Sequence, residues 1–337
     1  MVTRRMILAV PVLGALASCA PSPVVTSGSS ATTGTLAPDD PRYVAAAVET
    51  ELAALTTALA GAATDPDAGL APWCRGAAEA HAAHARVLLQ ADPLGGTGSD
   101  RSPVADPPSP SATATPAGSQ SLARAYRDAA ESHRAAALDE QDPSMRMLWC
   151  SLAVFAARGA ACADASSFTP APVAGRAVPV HVEAGTAPEA MAALVSRVDA
   201  LRYGLETMIG RSGGGRDDMS ARSDQADALR VELAGRITAA GGQVPGPELE
   251  YELDGDPDDA GARDGIWARL EDDLLAGWVR LAAATTGASG SPSPDSGPSA
   301  QSSADPYGLD EIIEQATQQA AQAPLHGLGT STWPGWV

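Results

Sequence analysis

Apolar residues recur at alternating spacings of three and four along most of this chain, the period of helices buried on one face. Met191, Leu194, Val198, Leu201, Leu205 and Met208 form one stripe. Met219, Ala226, Leu229, Leu233 and Ile237 form a second, and Ile266, Leu270, Leu274, Gly277 and Leu281 a third. Three such stripes have to close on one another as a bundle. Leu309, Ile312, Ile313, Ala316 and Ala320 add a shorter fourth.

The front half repeats the theme. Val44, Val48, Leu52, Leu55 and Leu59 follow Asp39-Asp40-Pro41, a helix-start signal. Trp73, Ala77, Ala80, His84 and Val87 mark a second helix, and Leu122, Tyr126, Ala129, His133 and Ala136 a third. A fourth, opened by Asp142-Pro143, carries Met145, Leu148, Leu152, Phe155, Gly159 and Cys162.

Two long connections interrupt the pattern. Residues 92–118 are mostly Gly, Ser, Pro and Thr and read as a disordered linker. The Pro-rich strap Gln243–Asp258 reaches about 53 Å if extended, ample to run the ~30 Å length of a 20-residue helix. Both suit a crossover connection, the mark of ferritin-like topology among four-helix bundles. The expected fold is all-α: two tandem four-helix bundles of ferritin-like topology at 40–165 and 187–337.

Residues 1–18 read as a signal peptide and lie outside the fold argument. Arg4 and Arg5 precede the apolar run Met6–Leu16, and Leu16-Ala17-Ser18-Cys19 matches the lipobox of bacterial lipoproteins. That resemblance implies diacylglycerol on the Cys19 thiol and cleavage before it. Thr3-Arg4-Arg5-Met6-Ile7-Leu8 also resembles a twin-arginine signal, which leaves the export route open. Residues 19–39 then form a flexible tether of Ser, Thr, Pro and Gly. Two acyl chains suffice for anchoring, which implies a cell-membrane protein on the extracytoplasmic face.

Removing the signal peptide leaves 20 basic residues against 41 acidic ones, a formal charge of −21. A polyanion of this kind does not bind nucleic acid non-specifically. Aromatic residues make up only 4% and Ala is abundant, which favours slim, closely packed helices.

Cys74, Cys150 and Cys162 remain in a disulfide-permissive compartment. Cys150 and Cys162 sit roughly 18 Å apart along one helix and cannot bond. A lengthwise crossover brings Cys74 beside Cys162, so a Cys74–Cys162 disulfide is expected.

His84 and His133 fall on apolar stripes, and His81 lies one turn before His84. Imidazoles from facing helices, with Glu51 or Glu131 nearby, could hold iron or zinc. Against this, the fourth helix offers only Met, Leu, Phe and Gly inward. The preferred reading is two buried histidines bonded to a hydroxyl or carbonyl, with His81 at the rim.

In the C-terminal half, Ala226–Gly242, the Pro-Glu-Leu-Glu-Tyr-Glu-Leu strap, Arg269-Leu270-Glu271-Asp272 and the closing Trp333-Pro334-Gly335 resemble one family. It is the ferritin-like domain of unknown function (number 4439) of actinobacterial lipoproteins. The resemblance covers about 189–336 and implies a four-helix ferritin-like fold with no assigned activity. Its di-iron chemistry does not carry over, because no His lies between Val182 and Leu325 to build Glu-x-x-His pairs. Glu206, Asp227 and Glu271 read as solvated flank charges. Asp254, Asp256 and Asp258 fail the calcium-loop pattern, which needs Gly and Glu where Asp259 and Gly265 stand.

The tail from Pro324 to Val337 either packs Trp333 and Trp336 on the bundle or presents them to a partner. No nucleophile–base pair or phosphate loop appears. The sequence therefore points to a non-catalytic envelope lipoprotein, without cofactor, that serves as a binding or assembly module, an envelope protein being one candidate partner. The alternative is a metal-binding protein using His81, His84 and His133.

Overall fold

The computed structural model describes residues 36–65, 69–96, 102–110, 118–164, 173, 175, 178–211, 216–285, 307–327, 329 and 331–336. Residues 1–35, which include the expected signal peptide, Cys19 and most of the expected tether, lie outside them. The described residues are all-helical: α1 (Pro41–Ala62), α2 (Ala71–Leu88), α3 (Ser119–Asp139), α4 (Pro143–Asp164), α5 (Ala187–Arg211), α6 (Arg216–Ala239), α7 (Arg263–Ala284) and α8 (Leu309–Gln319). A 3₁₀ turn, Ala323–His326, follows.

The helix starts are set by local chemistry. Asp40 Oδ1 accepts the Arg42 amide at 2.8 Å with Pro41 in the first turn, and Asp142 Oδ1 accepts the Met145 amide at 2.8 Å. Thr186 and Glu189 form a reciprocal capping box on α5, where Glu189 Oε2 accepts the Thr186 amide at 2.8 Å.

α1 packs on α2 and α3, and α3 on α4. In the other half α5 packs on α6 and α7, and α7 on α8. α4 joins the two sets by packing on α7 and α8. It is long and apolar enough to cross a membrane, and it is buried among the other helices around most of its circumference. One hydrophobic cluster runs from Ala45, Leu88 and Met147 through Leu194, Trp278 and Ile313 to Trp336. A second fills the far end of the first four helices around Trp73, Tyr126 and Ala156.

Two buried arginines of α4 strengthen the junction. Arg158, at 0% exposure, binds Asp272 at 2.8 Å and donates to the Ala320 carbonyl at 3.0 Å. Arg146 reaches the Thr285 carbonyl across the same seam. Gly159 lets α4 and α3 approach closely: a Cβ there would sit 2.5 Å from the Tyr126 ring.

The expected linker 92–118 is pinned where it is described. Leu94 is buried, the Val104 amide bonds the Leu89 carbonyl at 2.8 Å, and His181 bonds the Leu94 carbonyl at 3.0 Å. Residues 97–101 and 111–117 of it lie outside the described set. The strap from Gln243 has no helix or strand, and its Tyr251 ring lies 5.6 Å from that of Tyr203 on α5.

The expected Cys74–Cys162 disulfide is not formed: Cys74, Cys150 and Cys162 are free buried thiols. Cys74 and Cys162 do share the second cluster, while Cys150 belongs to the first. Burial pushes each of the three thiols up to about 12, which suppresses the thiolate that forms disulfides. Glu271 also departs from the sequence reading. It is fully buried, its carboxylate gripped by Arg222 at 2.7 and 2.8 Å and by Gln319 and Trp267. Glu206 and Asp227 are exposed as expected.

Candidate metal centre

The buried face of α1 keeps Leu52 of the expected stripe, with Val48, Leu55 and Leu59 packed beside it, and widens toward its small residues. Ala45, Glu49, Leu52 and Thr56 face inward at spacings of four, three and four, while Val44 is 46% exposed. Small residues allow α2 and α3 to come close, and the same widening carries Glu49 into the interior, where it is 1% exposed.

Three histidines converge on that carboxylate. His81 and His84 of α2 place Nδ1 at 2.6 and 2.8 Å from Glu49 Oε2, and His133 of α3 places Nε2 at 2.8 Å from Oε1. All three rings are 0% exposed. His81 is therefore an inner member of the cluster and not the rim residue expected from the stripe. Ligand atoms of Glu49, His81 and His84 lie within 4.8 Å of one another.

Each ring has a second partner or a notable lack of one. His81 Nε2 lies 2.8 Å from the Tyr126 hydroxyl, and His84 Nε2 lies 2.7 Å from the Thr332 carbonyl oxygen. His133 Nδ1 is buried with no partner. Phe155 of α4 lies edge-on to His81 and His84 at 5.2 and 4.8 Å, and Trp333 covers His84 at 4.5 Å. Thus α4 provides a wall and no ligand.

The bonds constrain the protons. A carbonyl only accepts, so His84 Nε2 must donate to Thr332. The other nitrogen of that ring faces a carboxylate oxygen, which as an anion also only accepts. A proton or a metal ion has to lie between His84 Nδ1 and Glu49: a second proton on the ring, a proton on the carboxyl, or an ion bound to both. His81 has no such conflict, because Tyr126 can donate to its Nε2 while Nδ1–H donates to Glu49. Burial lowers the His81 pKa against the pull of Glu49. Burial alone would raise the Glu49 carboxyl; His84, His81 and His133 outweigh it and hold the group well below the usual carboxylate range.

The donor set fits a borderline divalent metal, since imidazole and carboxylate suit zinc, iron and related ions. Ions with bonds of about 2.1 Å space neighbouring ligand atoms ~3.0–3.4 Å apart, so an ion would spread the 2.6–2.8 Å contacts to Glu49 while holding ligand atoms that lie within 4.8 Å of one another. A ligating His usually donates its other N–H to a carbonyl or carboxylate, which is what Thr332 receives from His84.

Sequence reasoning found the three histidines but missed Glu49, Tyr126 as a partner, and Thr332. Glu131, one of the acids expected nearby, instead pairs with Arg134 on the surface. The tail packs inward: Trp333 and Trp336 are 3% and 5% exposed, and Trp336 Nε1 donates to the Val180 carbonyl at 3.2 Å. No family model matches the chain, and no curated protein or solved structure matches it either.

Proposed function

We propose that this is a lipid-anchored envelope protein whose N-terminal helices hold one divalent transition-metal ion through Glu49, His81, His84 and His133. The observation that carries the reading is the placement of His84 between two acceptors, the Thr332 carbonyl and the Glu49 carboxylate. A metal on Nδ1 leaves His84 neutral, with its one N–H used by Thr332. Phe155, Tyr126 and Trp333 close the site on the His81 and His84 side. Four protein ligands suit structural or storage binding, since catalytic metal sites keep a position open. Anchoring through Cys19, the ferritin-like connectivity of two four-helix bundles and membership of the domain family number 4439 belong to the same proposal. They are supported by the lipobox, the long connections and the strap motif.

The test is metal analysis of purified mature protein, followed by titration with Zn²⁺ and Co²⁺. One equivalent bound, and lost in His84→Ala and Glu49→Gln, is expected. Absence of stoichiometric binding at micromolar ion would overturn the reading. The second reading is then a purely structural imidazolium–carboxylate hub, which the direct 2.6 and 2.8 Å contacts to Glu49 Oε2 favour.

A further inference from the structure

A groove of about 540 Å³ lies between α1, α3 and the start of α4, and His133 forms part of its lining. His133 thus belongs both to the groove and to the Glu49 cluster. Asp39, Asp40, Asp139 and Glu140 stand around the groove, with Arg42 as the cation among the lining residues. Arg42 donates to the Leu88 and Gln90 carbonyls and feels the charges of Asp40 and Asp92, which leaves Asp39, Asp139 and Glu140 as the remaining rim acids. Asp40 and Glu140 are occupied by amides at helix starts, whereas Asp39 and Asp139 are exposed side chains.

An acidic rim alone implies nothing about a ligand. Here a second feature points inward: the His133 ring is fully buried and its Nδ1 has no hydrogen-bond partner. A buried nitrogen without a partner costs free energy that a passing cation or its water shell would offset. The opposite face of the cluster is shut by Phe155 and Trp333.

We infer that the groove is the cation's entry route, with the acids on its rim gathering divalent ions and His133 passing them from the groove to Glu49. This rests on the metal site proposed above and adds its path. The ion first meets the negative field of the rim, where clustered charge raises encounter rates. It then reaches the cluster at His133, whose ring lines the groove and whose Nε2 lies 2.8 Å from Glu49 Oε1.

The experiment is stopped-flow mixing of the full mature protein with Co²⁺, followed by visible absorbance. Asp39→Asn combined with Asp139→Asn should slow loading about three- to tenfold at low salt, with the difference collapsing in high salt. Ala135→Trp places an indole in the groove from an exposed position and should slow loading further. Both variants should reach the same final stoichiometry as the parent. Glu250→Gln with Glu252→Gln removes the same charge on the distant strap and should leave the rate unchanged. Equal loading rates in parent and groove variants would overturn the route while leaving the metal site intact. Absence of Co²⁺ binding by the parent would overturn both. Equal slowing in the strap control would also overturn the route, since net charge alone would then explain it.

Discussion

Thr332 and His84 are 248 residues apart in sequence, and the Thr332 carbonyl oxygen lies 2.7 Å from His84 Nε2. The end of the described chain therefore fixes which nitrogen of a ring in α2 is free to face Glu49. Removing residues 331–337 should weaken Co²⁺ or Zn²⁺ binding about 10- to 100-fold, the usual effect of losing an outer partner of a ligand. Competition titration against a chromophoric chelator measures it. Unchanged affinity would mean that the tail merely covers the site.

Glu49 receives three rings and is buried with them. Replacing it by Gln should destabilise the metal-free protein by about 3–5 kcal/mol, because a buried ionic group loses its partner. Urea unfolding of parent and variant checks this; a loss below 1 kcal/mol would contradict the bonding described, given that surface pairs contribute about that much.

Gly159 faces the Tyr126 ring, where an added Cβ would sit at 2.5 Å. Gly159→Ala should cost about 1–3 kcal/mol through overpacking, despite alanine's better helix propensity. It should also disturb the Tyr126–His81 hydrogen bond, visible as a shifted imidazole resonance. A stabilised variant would refute the contact.

Burial alone would raise the Glu271 carboxyl, yet Arg222, with Gln319 and Trp267, holds it below its ordinary 4.5. A carboxylate whose folded pKa is depressed stabilises the fold above the unfolded pKa and loses that contribution as pH falls through the folded value. Stability should thus decline as pH drops below about 4.5, and Glu271→Gln should flatten that acid limb. Thermal unfolding across the acid range supplies the comparison. Parallel curves for parent and variant would contradict the assignment.

The buried thiols give a further check. With each pushed up to about 12, Cys74, Cys150 and Cys162 should resist a thiol reagent in the folded protein and all react once it is unfolded. Fewer than three reactive thiols after unfolding without reductant would restore a disulfide.

The helices were legible because their stripes repeat with helical period, and Asp40 and Asp142 mark starts by a mechanism that sequence displays. His84 and His133 were legible for the same reason, lying on stripes that had to be inward. The α1 stripe misled only in part: Leu52 is buried and Val48, Leu55 and Leu59 pack on the second cluster, but Val44 is exposed while close helix packing takes Ala45 and Glu49 inside. Glu271 misled in the same way, since its partner Arg222 lies on another helix 49 residues away. Contacts such as His84 with Thr332 leave no local trace, because neither residue's neighbours encode the meeting.

The Thr332 contact also sets a timetable. Translation delivers α1 to α4 long before residue 332, so a growing chain carries Glu49 and its three rings without the carbonyl that orients His84. A polypeptide clipped by proteolysis before Thr332 keeps every ligand and loses the latch. The orientation of the His84 ring would then distinguish chains that keep Thr332 from shortened ones.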